Sequence, residues 1–158
     1  MYPTLEHVAM ESRPYPTHLL QDCESGLALF AAAFMGHNDA IHFAEARMRC
    51  VCCDTDAKKL LEMSKLYPDD WTFVPEDAWT FADRVSSLGM TWDAVSVDTF
   101  TGEAMDKSLK SLELWCSLAR KVVTVTLTLG ASYLLPRGWV DSKFERASGV
   151  YWLVLERR

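Results

Sequence analysis

Glycine-rich signatures are missing from this chain of 158 residues. It has no Gly-x-x-x-x-Gly-Lys phosphate loop and no Gly-x-Ser-x-Gly nucleophile elbow, so neither a P-loop enzyme nor a hydrolase triad is indicated. Long apolar runs are missing as well. Gly26 to Met35 is the most apolar stretch and is far shorter than the ~20 residues that span a bilayer. Met1 to Gln21 lacks the uninterrupted apolar core of a signal peptide, so no membrane attachment is expected. Basic patches are scarce. The nearest, Lys107 to Lys110, is diluted by Asp106 and Ser108, and the formal net charge is −6, so charge gives nucleic-acid binding no support. The five cysteines, Cys23, Cys50, Cys52, Cys53 and Cys116, are an odd number with three in one short run. That pattern fits a reduced cytoplasmic protein, not a disulfide framework. No second Cys or His pair stands at zinc-site spacing, and His37 and His42 are too loosely placed, so no metal is expected.

What is present is a repeated grammar of strand, acid and helix. Cys50-Val51-Cys52-Cys53 ends in Asp54-Thr55-Asp56, and a helical stretch, Ala57 to Leu66, follows at once. Trp71 to Val74 ends in Glu76-Asp77-Ala78 before a helix over Trp79 to Leu88 that Gly89 stops. Trp92 to Val97 ends in Asp98-Thr99-Phe100-Thr101-Gly102. Strands with acids at their carboxyl ends, alternating with helices, indicate βαβ units in a parallel sheet. Ligands of such sheets bind at those carboxyl ends.

The remaining elements are read by periodicity. Leu27 to Met35, apolar on nearly every side, reads as a buried helix. Gly36-His37 breaks it, and Asn38 or Asp39 caps a second helix over Ala40 to Met48. Thr17 to Gln21 is either a short strand or the lead-in to a helix. Ala104 to Arg120 reads as one long helix with Met105, Leu109, Leu112, Trp115 and Cys116 on its apolar face. Lys121 to Thr128 is too rich in β-branched residues for a helix. Phe144 to Ala147 and Val150 to Leu155, joined by Ser148-Gly149, predict a terminal antiparallel hairpin. The expectation is one domain over residues 1–158, with an irregular arm over 1–16. Its fold class is three-layer α/β, Rossmann-like, with a mostly parallel twisted sheet of about six strands.

Three acids carry the candidate chemistry. Asp54 can accept two hydrogen bonds from a ribose diol, although it or Asp56 can equally cap the following helix. Asp77 can accept from an adenine amino group while Ala78 leaves room for the ring; capping is again the competing role. Asp98 can orient an acceptor or remove its proton, or simply shape its loop. Trp79 and Phe100 near the same mouth can stack on a flat ring.

In arrangement the chain, from about Gln21 to Arg158, resembles the class I S-adenosylmethionine-dependent methyltransferase family. The resemblance implies that Asp54 holds the cofactor ribose and Asp77 its adenine, with Asp98 near the methyl group or acceptor. The family's first strand ends in an acid and a Gly-x-Gly loop. The corresponding place reads Asp22-Cys23-Glu24-Ser25-Gly26-Leu27, so Glu24 and Gly26 would stand for that motif with one glycine in place of several. No Asn/Asp-Pro-Pro-Tyr sequence follows the Asp98 strand, which argues against methylation of base amino groups. The resemblance thus implies S-adenosylmethionine as cofactor and an unidentified methyl acceptor. The alternative is a methyltransferase-shaped module without catalysis that works through a protein partner.

Overall fold

The computed structural model describes residues 4–32, 38–99 and 102–158. Seven strands form one sheet in the order β3-β2-β1-β4-β5-β7-β6. They are β1 (Ser25–Leu29), β2 (Arg49–Asp54), β3 (Thr72–Pro75), β4 (Trp92–Val97), β5 (Ala119–Thr128), β6 (Trp139–Ala147) and β7 (Val150–Arg157). The first five are mutually parallel, and β7 runs antiparallel between β5 and β6. The expected hairpin is therefore present, with Gly149 at φ 76 in its two-residue link. No helix among the described residues is long and apolar enough to cross a membrane.

Alternation along the strands divides the core between two faces. Leu27 and Leu29 of β1, Cys53 of β2 and Val95 and Val97 of β4 pack under α4 (Ala78–Ser87), α5 (Gly102–Leu109) and α6 (Leu112–Leu118). Ala28, Cys50, Cys52 and Ala94 point the other way, toward α2 (Asn38–Glu45), α3 (Ala57–Ser64) and Tyr15 of the amino-terminal arm. The arm carries α1 (Leu5–Glu11) and a single 3-10 turn, Thr17–Leu20, which settles the ambiguity over residues 17–21. All five cysteines are buried free thiols, and burial pushes Cys53 up to about 12.

Two expectations fail. Leu27 to Leu29 belong to β1, not to a helix, and this strand raises the count to seven. A central parallel strand is buried on both faces, so it is apolar all round just as a buried helix is; pairing with β2 and β4 overrides the helical preference of Leu and Ala. The long helix over Ala104 to Arg120 is broken. α5 ends at Leu109, α6 starts at Leu112, and Ala119 and Arg120 already belong to β5. Ser111 marks the break: its hydroxyl donates to the Lys107 carbonyl (2.8 Å) and accepts from Trp79 Nε1 (2.9 Å). Such local side-chain bonding competes with helix continuation. Gly89 does end α4 as expected. It sits at φ 72 and donates to Ser86 O, while Met90 N donates to Val85 O, the double bond pattern of a glycine-terminated helix.

The new position of β1 explains Gly26. It is buried where α2 crosses the sheet, and a Cβ there would lie 2.8 Å from Phe43 Cδ2 and 3.0 Å from Met48 Cε. The absent side chain is needed for helix–sheet contact. Gly26→Val should therefore lower stability by about 1–3 kcal/mol through overpacking, read as a lower urea midpoint at unchanged m-value. An unchanged midpoint would refute the packing role.

Candidate active site at the carboxyl strand ends

Beyond Leu29 the chain makes a left-handed bend at Phe30 (φ 63), a conformation that glycine adopts without strain and phenylalanine does not. The bend curls the next residues over the end of β2. Phe30 N (2.8 Å) and Ala31 N (3.2 Å) both donate to Cys53 O, and Ala32 N donates to Asp54 Oδ2 (3.0 Å). Asp56 N donates to Asp54 Oδ1 (2.9 Å). Asp54 is thus nearly buried and ties the loop after β1 to the loop after β2. Helix capping falls to Asp56, which accepts from Lys59 N. The Phe30 ring meets Trp79 edge-on at 5.3 Å.

At the next strand end, Asp77 is exposed and caps α4, accepting from Thr80 N (3.0 Å) and Thr80 Oγ1 (3.1 Å). Ala78 is the buried first residue of that helix. Asp98 follows β4, and its amide donates to Leu29 O, which brings the ends of β1 and β4 together. Its carboxylate is 2 % exposed and accepts from both terminal nitrogens of Arg146, Nη1 to Oδ1 at 2.6 Å and Nη2 to Oδ2 at 3.1 Å. Thr126 Oγ1 adds a 3.3 Å contact to Oδ1. Asp98 is therefore one half of a buried ion pair, where the sequence suggests a free carboxylate.

Glu24 and Gly26 require correction. They lie before and at the start of β1, at the opposite end of the sheet from Asp54 and Asp98. There Glu24 N donates to Asp93 Oδ2 (2.7 Å), and Asp93 pairs with Arg120. The misplacement follows from reading β1 as a helix, which puts the first loop one strand too early. Phe100, Gly36 and His37 lie outside the described residues.

Sequence reasoning missed Arg146 and the depth of Asp39. Arg146 lies two residues beyond Phe144, on the sheet face that carries Trp152, where the register between β6 and β7 slips between Glu145 and Ala147 and the preceding residues Val140 to Lys143 are exposed. Asp39 is 1 % exposed; Oδ1 accepts from Ala40 N (2.8 Å), and Oδ2 has no hydrogen-bond partner among the described residues. Burial pushes its carboxyl up to about 7, the charge of Asp98 pushes the same way, and Arg146 opposes both. On the same face, the Tyr15 hydroxyl and Thr124 Oγ1 share a buried 2.8 Å hydrogen bond. No group of three or more metal-ligating side chains is present among the described residues.

An open sheet whose order turns at β1 and β4, with acids at those ends and an antiparallel hairpin on one edge, can be set beside known structures. The provisionally named methyltransferase yhhF from Escherichia coli superposes with TM-score 0.68 at 17% identity, over 89% of this chain and 80% of its own. The fold is that of the S-adenosylmethionine-dependent methyltransferases. A provisionally named methylase from Haemophilus influenzae gives TM-score 0.64 at 12% identity, covering 99% and 91% of the two chains. A further such protein, complexed with S-adenosylhomocysteine, gives 0.60 at 10% identity over 89% of this chain, which spans about half of that protein (48%). No protein-family model and no curated protein matches the chain in sequence.

Two outcomes are expected from the acids. Asp98→Asn removes the carboxylate that pairs with buried Arg146 and should cost about 3–5 kcal/mol in urea denaturation, whereas Asp98→Leu with Arg146→Met should recover most of it. A loss under 1 kcal/mol would show the pair to be solvated. The raised Asp39 carboxyl means the folded state holds a proton that the unfolded chain releases. Its stabilising contribution is full below 3.8, the ordinary value, and is lost as pH rises to about 7. The melting temperature of Asp39→Asn minus that of wild type should therefore increase between pH 4 and pH 8. A difference independent of pH would contradict the burial of this charge.

Proposed function

We propose that the chain binds S-adenosylmethionine at the carboxyl ends of β1, β2 and β4 and serves methyl transfer to an acceptor. The observation that carries this reading is the Asp54 carboxylate, nearly buried and oriented by two backbone amides. A carboxylate offers about four lone-pair sites. The amides of Ala32 and Asp56 use one on each oxygen, and the others remain for a ribose diol. Fixed in this way, the acceptor needs no reorganisation when a ligand arrives. The residues therefore fit the group: Asp54 for the ribose, Asp77 for the adenine amino group, and the half-buried Trp79 for the ring face.

When bound, the cofactor supplies an electrophilic methyl group on a sulfonium, and the protein's share of the chemistry is alignment. Phe30 and Ala31 fix the floor of the crevice by bonding to Cys53. Asp98 acts as a positioning residue in this scheme. With both oxygens bonded to Arg146, it holds the guanidinium in place beside the site.

A second reading, a protein-contact module, draws on a different feature. Leu129 and Leu134, 74 % and 90 % exposed, with Leu135, project from the connection after β5. Calorimetric titration with S-adenosylhomocysteine separates the two. Binding by the folded wild type should weaken ten- to a hundredfold in Asp54→Ala, the scale of a lost charge-assisted hydrogen bond of ~1.5–3 kcal/mol. Circular dichroism must confirm the variant folded at the titration temperature, because Asp54 also anchors two loops. No binding to folded wild type at millimolar ligand would replace the enzyme with the module.

A further inference from the structure

The two edges of the sheet are finished differently. β3 is four residues long and ends in Pro75, which limits what can pair beside it. β6, at the other edge, is nine residues long. Val140, Asp141, Ser142 and Lys143 are exposed in succession, so this part of the strand is uncovered on both faces. Among the described residues, no backbone group outside β7 bonds to residues 140–145. Alternate residues of β6 therefore turn an N–H and a C=O to the open edge.

The order of side chains along this edge fits a second copy of itself. A two-fold axis normal to the sheet pairs the strands antiparallel and keeps their faces, so one residue must lie opposite its own copy. Centred on Asp141 or Lys143, the axis opposes like charges. Centred on Val140 or Phe144, it runs off the start of β6 or into the stretch around Arg146, where the register slips. Ser142 remains. About it, Asp141 lies opposite Lys143 of the second copy and Val140 opposite Phe144, each pair occurring twice. Asp141 and Lys143 share the sheet face of Trp139, and Val140 shares that of Phe144. Lys143 has no ion-pair partner among the described residues. Tyr133 donates to Asp141 Oδ2, which leaves Oδ1 for an ammonium and holds the connection with exposed Leu134 and Leu135 beside the strand.

We propose that β6 is the contact strand of a symmetric homodimer, in which it pairs antiparallel with β6 of a second copy about Ser142 and the two sheets run on as one. A lysine on an edge strand ordinarily repels a pairing strand. Here the symmetry that brings the strands together also sets that lysine against an acid, so the edge rejects other strands while accepting its own copy. The proposal stands apart from the methyl-transfer reading.

The test is sedimentation equilibrium of the full chain from micromolar to hundred-micromolar concentration. The seam from Trp139 to Glu145 is at the small end of protein interfaces, so a reversible dimer of twice 17.9 kDa is expected in that range. Lys143→Asp or Asp141→Lys turns two cross-strand pairs repulsive and should raise the dissociation constant about tenfold or more. An equimolar mixture of the two variants restores both pairs and should dimerise as wild type does, which also shows that each variant is folded. Ser142→Cys should form an interchain disulfide under mild oxidation, because directly opposed antiparallel residues have Cα atoms ~4.5–5.5 Å apart. Val140→Cys should not, since its own copy is displaced along the seam by about four residues at ~3.4 Å each. Wild type that stays monomeric throughout overturns the proposal, as does a dimer that both charge reversals leave intact. Equal crosslinking at the two positions overturns the pairing about Ser142.

Discussion

The register of the terminal hairpin is tied to one buried contact, the pair between Asp98 after β4 and Arg146 on β6. Two strands lie between them, and each supplies a side chain to the bridge. Thr126 of β5 stands between the charges, and Trp152 of β7 lies under the guanidinium at 4.7 Å. Burying two charges costs several kcal/mol per ion before their attraction repays it, so the net gain from the pair is small. Removing one partner is another matter, because the remaining charge cannot reach water. That asymmetry makes the pair a device for register: a hairpin slipped by one residue would turn Arg146 to solvent and leave Asp98 buried alone. The same contact places a guanidinium beside the carboxyl ends of β4 and β5.

Charge balance at this point involves a third group. Asp39, Asp98 and Arg146 together carry one excess negative charge if both acids ionise. Burial, aided by the charge of Asp98, pushes the Asp39 carboxyl up to about 7, which relieves the excess below that pH. Tyr15, with its hydroxyl bonded to Thr124, closes the same region from the amino-terminal arm, and Trp152 Nε1 donates to Pro14 O. The arm therefore seals the face of the sheet that carries Asp39. Its irregular sequence, rich in proline, suits a segment held by side-chain and single backbone bonds more than by a ladder.

Legibility from sequence followed a physical pattern. β2, β3, β4, β5 and the hairpin were readable because β-branched and aromatic runs ended in acids or turn residues. Cys50 and Cys52 pack on one core face and Cys53 on the other, as the two-residue period of a strand requires. β1 was not readable, since Gly-Leu-Ala-Leu has helical composition and only its neighbours make it extended. That one error displaced the candidate loop to Glu24 and Gly26, at the wrong end of the sheet. The break at Ser111 was hidden for a related reason: its partner, Trp79, is remote in sequence. Arg146 was missed because its partner, Asp98, is remote in sequence and separated from it by two strands.

The scarcity of glycine then acquires a structural meaning. A loop passing under a nucleotide needs left-handed backbone, and here the first such residue after β1 is Phe30. Phenylalanine holds that conformation at a cost of order 1–3 kcal/mol, which surrounding contacts must offset. They do so in sequence: the Phe30 and Ala31 amides bond to Cys53, the Ala32 amide bonds to Asp54, and the Phe30 ring packs on Trp79. A glycine-rich loop is adaptable, whereas this one is held by the very carboxylate that would receive the ribose. In the proposed function, Asp54 would serve structure and ligand together. The bonds that restrain the loop are the same bonds that aim the carboxylate, so any ligand at this crevice meets a surface set in place before it arrives.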